Sequence, residues 1–397
     1  MDRITRIRVQ NVRSIEKVDV NFTPVTVLIG ENGAGKSTLV ECLELLRQAA
    51  EPTFFAHLYS LHRGVSGLVR SGAPDVLLGV DLQSDDGLPA LEYTLVLVVR
   101  GGTFAVETEV LLEGRTVRLH RTAQGAQIIA EGAEARTVSL DHDQLAIGAF
   151  GVTPPLRAIE RLLTTLRAIQ VHLGFDTGAG WAAQAVHRPS QLCGSVTLAP
   201  AKRLPLFGRN LANAWFELRN RSAPHLETTM ALTRAGLGED LEAVLTPADP
   251  GGGMISLALR FEGLAEPIPA ANLSEGQLAW LGYVALARLH NGHGLLVVDE
   301  PEMHMHPALL AQLVDMLTHL DGAGPIVLAT HSDAVLDMLD DAAAAVRVCR
   351  LVGRKTEVEG LDKTELARWL ERYGTVGALR GAGYLDRVTS RSDEAAE

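Results

Sequence analysis

Ile7 and Val9 alternate with Arg8 and Gln10, and Val18, Val20 and Phe22 alternate with Asp19 and Asn21. A two-residue period puts each apolar set on one face, so the opening stretch is predicted as sheet. The run Val25-Thr26-Val27-Leu28-Ile29 lacks that alternation and is bounded by Pro24 and Gly30. This predicts a strand buried on both faces. Leu39, Leu43 and Leu46 then recur at helical spacing and predict a helix from about Lys36 to Ala50. The period returns to two between residues 75 and 130. There Phe104, Val106, Thr108, Val110 and Leu112 are expected on one face, with Glu107, Glu109 and Leu111 on the other. Val117 and Leu119 alternate with Arg118 and His120, and turns at Gly101-Gly102 and Gly114 make the region an antiparallel meander.

Pro154 and Pro155 open a helix whose apolar stripe is Ile159, Leu162, Leu163 and Leu166. Residues 174–210 are rich in Gly, Pro and small polar residues and read as the junction between two halves. One or two helices follow to about 245, then the turn Thr246–Gly253 and a strand with Ile255, Leu257, Leu259 and Phe261 on one face. The last third has α/β texture: a helix from near Ser274, a strand Leu295–Val298, a helix after Pro307, a strand Ile326–Ala329 and another helix. Asp362 with Glu365 three residues on resembles a capping box for the helix through Leu370, and Ser390–Glu397 is a polar tail.

Four segments carry chemistry. Gly30-Glu31-Asn32-Gly33-Ala34-Gly35-Lys36-Ser37 fits G-x-x-x-x-G-K-[ST] after a strand and at the opening of a helix. Glycines let backbone N–H groups converge on phosphate oxygens, and the helix beginning there adds its positive end. In such a loop Lys36 reaches the β- and γ-phosphates and the Ser37 hydroxyl holds Mg²⁺, with Thr38 completing the ATP-binding stretch. Leu295-Leu296-Val297-Val298-Asp299-Glu300 delivers two carboxylates to a strand's carboxyl end. Asp299 suits a metal-holding role through water, and Glu300 suits the general base that polarises the attacking water. Ile326-Val327-Leu328-Ala329-Thr330-His331 brings a histidine able to sense or stabilise the γ-phosphate to a third strand end. Leu273-Ser274-Glu275-Gly276-Gln277 is a helix start with Ser274 as N-cap, a second place for phosphate.

Composition narrows the partners. The 397 residues allow roughly two or three domains, and 47% hydrophobic with 21% charged residues is ordinary for a globular protein. Asp and Glu outnumber Lys and Arg by 48 to 36, a formal charge of -12. Such a chain gains little from the polyelectrolyte term, so contact with DNA would need a local basic patch, and none shows as a run. Cys42, Cys193 and Cys349 lack metal-ligand spacing and read as free thiols in a reducing compartment. The residues from Met1 to Arg6 lack an apolar signal segment, and no apolar run approaches the ~18 residues that span a bilayer. A cytoplasmic protein is expected.

The four segments, in this order, resemble the ATP-binding-cassette class of P-loop ATPases, and within it the SMC, RecF and OLD group of heads. Asn11-Val12-Arg13-Ser14-Ile15 is similar to the group's N-F-[KR]-[SC]-[IF] opening. Glu300-Pro301-Glu302-Met303-His304-Met305-His306-Pro307 resembles E-P-E-x-x-L-H-P of OLD-type ATPases, with Met305 in place of leucine. Thr330-His331-Ser332 matches their T-H-S switch, and Gly208-Arg209-Asn210-Leu211-Ala212 a G-x-N-L-A segment. The resemblance implies an α/β fold: a P-loop head with a mixed central sheet, an antiparallel meander in its first lobe and a helical second lobe. On that frame residues 1–175 form the N-terminal lobe, 176–255 a connecting and helical region, 256–389 the C-terminal ATPase lobe and 390–397 the tail.

The same resemblance implies ATP and Mg²⁺ as cofactors and a homodimer of two heads sandwiching ATP. Ser274, Glu275, Gly276 and Gln277 of one head would then contact the γ-phosphate held by the other. The interval between loop and Ser274 is too short for an SMC coiled-coil arm and longer than a compact transporter subunit needs. Past His331 no acidic cluster suits a two-metal nuclease, and Asp340-Asp341 reads as a solvated helix end, so nuclease or toxin chemistry is expected on a separately encoded partner. His304 and His306 lack a nearby cysteine and point apart at H-x-H spacing on a helix, which disfavours a zinc site. Arg13 faces the nucleotide or the partner lobe, or is a surface strand residue; Glu302 is a further acid without an assigned role. Three outputs follow in order: the ATPase subunit of a bacterial OLD-like anti-phage defence system, a RecF-like DNA repair ATPase, and a transporter ATPase.

Overall fold

In a computed structural model of the chain, the structure describes residues 2–62, 64–129, 135–150, 156–175, 177, 192–249, 251–289, 293–320 and 324–390. Pro154, Pro155, Pro250, the span 391–397 and much of the expected junction lie outside them. By internal contacts the chain divides into two units that do not follow chain order. One comprises Met1–Val171, Gly292–Asp299 and Gly322–Glu397, the other His172–Asn291 and Glu300–Asp321, so the stretch 256–389 contributes to both.

The first unit holds two large sheets. One runs in the order Ile15–Asn21, Asp2–Val12, Asp75–Ser84, Leu91–Arg100, Thr103–Glu113, Thr116–Thr122, Gly125–Ile128, Arg136–Val138, with every neighbour antiparallel. This is the expected meander, extended at one edge by the opening strands. Its face assignment differs from the sequence reading. Val96 pairs with Thr108 but Leu97 with Val106, so Glu107 is a bulge. An extra residue reverses which side chains face inward. Phe104 and Val106 are buried before it, and Glu109 and Leu111 after it, while Val110 and Leu112 are only half-buried. A second bulge, at Arg118, brings Leu111 opposite Leu119 and Leu112 opposite Val117.

Glu109 is thereby driven into the interior, where it is 0% exposed. It accepts hydrogen bonds from Ala146 N (2.6 Å), Ile147 N (2.9 Å) and Tyr93 Oη (3.2 Å). Burial raises its carboxyl above the ordinary range despite those donors.

The other sheet runs Ile169–His172, Leu295–Asp299, Ile326–Thr330, Val25–Gly30, Val346–Val352, Lys355–Leu361, Thr389–Ser390. Its four strands from Leu295–Asp299 to Val346–Val352 are parallel, and their apolar runs are buried as that arrangement requires. The last two pairings are antiparallel, which makes the sheet mixed. Helix Lys36–Ala49 follows the glycine loop and buries Leu39, Leu43 and Leu46 together with Val40, Cys42 and Leu45. Helix Arg157–Arg167 buries the predicted stripe Ile159, Leu162, Leu163 and Leu166. Its Arg167 donates to the Ala50 carbonyl at 2.9 Å, and its Arg161 reaches Asp2 and Glu113.

The second unit is mainly helical: Leu211–Arg219, Ala223–Leu237, Glu275–Arg288 and Pro307–Thr318. Its core holds Trp215 and Trp280, and each indole N–H finds a backbone acceptor, Leu281 O and Thr233 O, both at 3.2 Å. That satisfies the polar end of each large buried ring. The stretch expected to be helical up to about 245 ends in a strand, Leu241–Leu245, which pairs with Ala258–Phe261. Ile255, Leu257, Leu259 and Phe261 are all buried, but Ile255 belongs to a separate short strand that pairs with Val196–Thr197. Among the described residues no helix is long and apolar enough to cross a membrane, and Cys42 and Cys349 are buried as thiols.

Candidate functional site

The parallel register sets the site in the first unit. Asp299 stands opposite Ala329, Thr330 opposite Ile29, and Gly30 opposite Cys349, so three strand ends and the loop lie at one carboxyl edge. An open parallel sheet offers ligands that edge. Gly33 (φ +79°) and Gly35 (φ +101°) hold left-handed backbone, which turns the chain from strand into helix. Close approach governs Gly30: a Cβ there would lie 2.2 Å from the Cys349 carbonyl oxygen. Glu31, Asn32 and Gly33 are exposed along the loop, Ala34 is buried, and at the helix start Ser37 is exposed while Thr38 is buried.

Lys36 is 4% exposed, rare for a lysine without strong partners. Its Nζ donates to Gly30 O (2.8 Å) and Glu31 O (3.2 Å) and lies 3.4 Å from His331 Nδ1. The ammonium is therefore threaded back under its own loop, with His331 of the neighbouring strand end beside it. Asp299 is 8% exposed at the end of its strand.

Two elements of this edge escaped the sequence reading. Strand Val346–Val352 lies directly beside Val25–Gly30 and, with the loop, bounds a cavity of about 710 Å³ lined by Gly30, Glu31, Asn32, Cys349, Arg350 and Arg380. Burial pushes the Cys349 thiol up to about 12, so it is a packing residue rather than a nucleophile. Arg380, on helix Val376–Gly381, donates to the His331 carbonyl at 2.9 Å and pairs with Asp333. The guanidinium thus pins the backbone that carries His331. The alternation in Val346-Arg347-Val348-Cys349 was the available signal for the strand; nothing local marks Arg380.

Arg13 stands at left-handed backbone (φ +48°) between the first two strands, and its guanidinium lies 2.8 Å from Glu41 of helix Lys36–Ala49. Ser14 Oγ meets Thr356 Oγ1 at 2.8 Å, and Thr356 packs under Gly35.

In the second unit Ser274 caps helix Glu275–Arg288. Its Oγ accepts from Gln277 N (3.2 Å), and Gln277 Oε1 accepts from Ser274 N (2.9 Å), a full capping box. Ser274 is exposed, and Gly276 lies close to the His304 carbonyl. His304 Nδ1 lies 2.6 Å from Glu275 Oε2, and His306 Nδ1 accepts from Ala308 N at 3.3 Å as the cap of helix Pro307–Thr318. Glu300 and His304 both hold left-handed backbone, at φ +52° and +63°. That conformation is uncommon for non-glycine residues. At the C-terminal end of the first unit, Asp362 accepts from Thr364 N and Glu365 N, but the Glu365 carboxylate goes to Arg368, so the cap forms without the reciprocal half of a box.

Comparison with known proteins places this architecture. Residues 188–337 match a family model described as "AAA domain, putative AbiEii toxin, Type IV TA system", and residues 6–46 match an "AAA domain" model. Among curated proteins the chain is 22% identical over 352 residues to the OLD nuclease of Thermus scotoductus, covering 84% of this chain and 60% of that protein. It is 27% identical over 157 residues to the DNA replication and repair protein RecF of Roseiflexus castenholzii, covering 39% and 33%. Over 97 residues it is 29% identical to the Old nuclease of Escherichia phage P2, covering 22% and 16%. Among solved structures, an Smc head bound to the C-winged helix domain of ScpA superposes with a TM-score of 0.54 at 13% identity, covering 92% of this chain and 99% of that one. The Smc head with an extended coiled coil, bound to the C-terminal domain of ScpA derived from Pyrococcus furiosus, gives 0.54 at 12% identity, covering 94% and 99%.

The chain thus resembles the OLD-like and SMC/RecF-type ATPases of the ABC class. The chain spans less than two thirds of the curated relatives it matches. In this head-like fold the first unit brings together Gly30–Thr38, Asp299 and His331, while Ser274–Gln277 and Glu300 belong to the second unit.

Proposed function

We propose that this chain binds ATP with Mg²⁺ at Gly30–Thr38, hydrolyses it, and couples that cycle to a partner effector. The observation that carries the reading is Lys36: a nearly buried ammonium held by two loop carbonyls, beside His331. A triphosphate arriving at the loop meets converging amides, a helix start and that ammonium. The donor set also suits Mg²⁺, which prefers one hydroxyl or carboxylate with water and phosphate oxygens over an all-protein cage. Ser37, exposed at the helix start, and Asp299, at the strand end on the far side of Ile326–Thr330 in the same sheet, are the residues that would hold it. When bound, the metal would neutralise charge on the transferring phosphoryl group.

Around the phosphates each side chain has one task. Lys36 grips the outer phosphates, Glu300 polarises the attacking water, and His331 steadies the γ-phosphate, its backbone held by Arg380. Ser274–Gln277 is a capped, exposed helix start and serves the phosphate held by a second copy, so ATP closes two heads and hydrolysis reopens them. The similarity to OLD nucleases favours a bacterial anti-phage defence role with a separately encoded nuclease or toxin in the cytoplasm. The RecF match supports a second reading, a DNA repair ATPase. Salt-dependent DNA binding by the purified chain favours repair; co-purification with a nuclease favours defence. Glu300→Gln tests the catalytic reading: the variant should bind ATP, hydrolyse almost none and accumulate as a dimer. A variant that stays monomeric at saturating ATP removes the dimer, and one that hydrolyses normally removes Glu300 as the base.

A further inference from the structure

Arg221, His225 and Arg288 meet in the second unit. Arg288 Nη2 lies 3.1 Å from His225 Nδ1, and Arg221 Nη1 lies 3.5 Å from His225 Nε2. Arg221 donates to the Arg288 carbonyl at 3.0 Å, and Arg288 Nε donates to Thr229 Oγ1 at 3.1 Å, so the two guanidiniums are fixed in place. All three side chains are half-buried. Several half-buried arginines of this chain face acids (Arg8 meets Asp81, Arg47 meets Glu44 and Arg161 meets Asp2), while Arg234 and Arg347 donate to backbone carbonyls. Among the described residues Arg221 and Arg288 pair with no carboxylate, and Glu227, on the helix of His225, is exposed and bonded to neither. In a chain with twelve excess negative charges this clustering of positive charge stands out.

The imidazole makes the arrangement frustrated. A neutral ring has one acceptor nitrogen and one N–H, yet both nitrogens face guanidinium donors. Burial, then the nearby arginines, holds His225 below the ordinary histidine range. An oxyanion seated against the cluster would accept from both guanidinium forks and from a protonated imidazole. We propose that Arg221, His225 and Arg288 form a binding site for a phosphate group, either as the free ion or as an ester in a nucleic-acid backbone. The two arginines lie 67 residues apart, so the fold assembles a basic patch that no run of the sequence displays.

The test uses the full chain and follows the His225 ring by NMR against pH, its signals assigned with His225→Gln. Titrations in sodium sulfate and sodium chloride are compared at equal ionic strength, sulfate serving as a phosphate mimic that stays dianionic. Sulfate should raise the His225 midpoint by about one pH unit, because the anion favours the charged ring. Arg221→Gln should lose that response and Arg221→Lys keep most of it. An unchanged wild-type midpoint overturns the proposal without recourse to any variant. A labelled DNA duplex distinguishes the sources. A loss of roughly tenfold in affinity for Arg221→Gln, shrinking with added salt, assigns the site to backbone phosphates. A sulfate response without any effect of Arg221→Gln on DNA assigns it to free phosphate.

Discussion

The three loop glycines should fail differently when replaced by alanine, because each is glycine for a different reason. Gly33 has φ +79° and nothing within 4 Å of where a Cβ would lie, so Gly33→Ala carries backbone strain alone, about 1–2 kcal/mol. Gly30 has ordinary backbone, but its Cβ would sit 2.2 Å from the Cys349 carbonyl oxygen, an atom fixed in the neighbouring strand. Gly30→Ala must push a pair of buried strands apart, costing about 3 kcal/mol or more. Gly35 combines both: φ +101° and a Cβ 2.3 Å from Thr356 Oγ1, with Thr356 only 3% exposed. Gly35→Ala should cost about 3 kcal/mol, of which Thr356→Ala relieves the steric share, about half, and leaves the strain. Urea unfolding measures stability, and calorimetric ATP titration measures the loop. The predicted order of damage is Gly30 and Gly35 above Gly33, with partial recovery in Gly35→Ala/Thr356→Ala. Equal losses at all three positions, or no recovery in the double variant, would refute the geometric reasoning.

Arg380→Ala removes the bond to the His331 carbonyl and the pairing with Asp333. Loss of one charge-assisted bond, about 1.5 kcal/mol, should lower kcat for ATP hydrolysis roughly tenfold with little change in nucleotide Kd, and Arg380→Lys should restore some of it. A fall in affinity with kcat intact would show that Arg380 serves binding instead. His172 is buried, and burial followed by the Arg203 charge lowers its imidazole to about 4. The unfolded chain takes up that proton near pH 6.5, so this stabilisation is complete above 6.5 and is lost as pH falls towards 4, about 3 kcal/mol in all. His172→Leu should flatten the difference in stability between pH 7 and pH 4.5 measured by urea unfolding; an unaltered slope would contradict the assignment.

Much of the site was legible because its signals are local. A strand, a glycine loop and a helix fall within residues 25–49, and Leu295–Asp299 and Ile326–Thr330 are apolar runs ending in polar groups. Their convergence followed from the rule for parallel sheets. The inward face of Thr103–Glu113 was misread because one bulge, at Glu107, reverses the alternation, and the bulge is set by pairing with Leu91–Arg100 rather than by the strand itself. Strand Val346–Val352 was missed although its pattern alternates, since its place in the sheet depends on parallel pairing with Val25–Gly30, far away in sequence. Arg380 reaches His331 across 49 residues and Arg221 reaches Arg288 across 67, so neither contact leaves a periodic trace.

The role of Lys36 is most directly tested by isothermal calorimetry of Mg·ATP with the wild-type chain and Lys36→Ala, thermal melts confirming that both are folded. With the ammonium withdrawn from the Gly30 and Glu31 carbonyls, heat of binding should vanish or affinity fall by about two orders of magnitude, the equivalent of about 3 kcal/mol. ATP affinity equal to that of the wild type would place the nucleotide elsewhere and contradict the account.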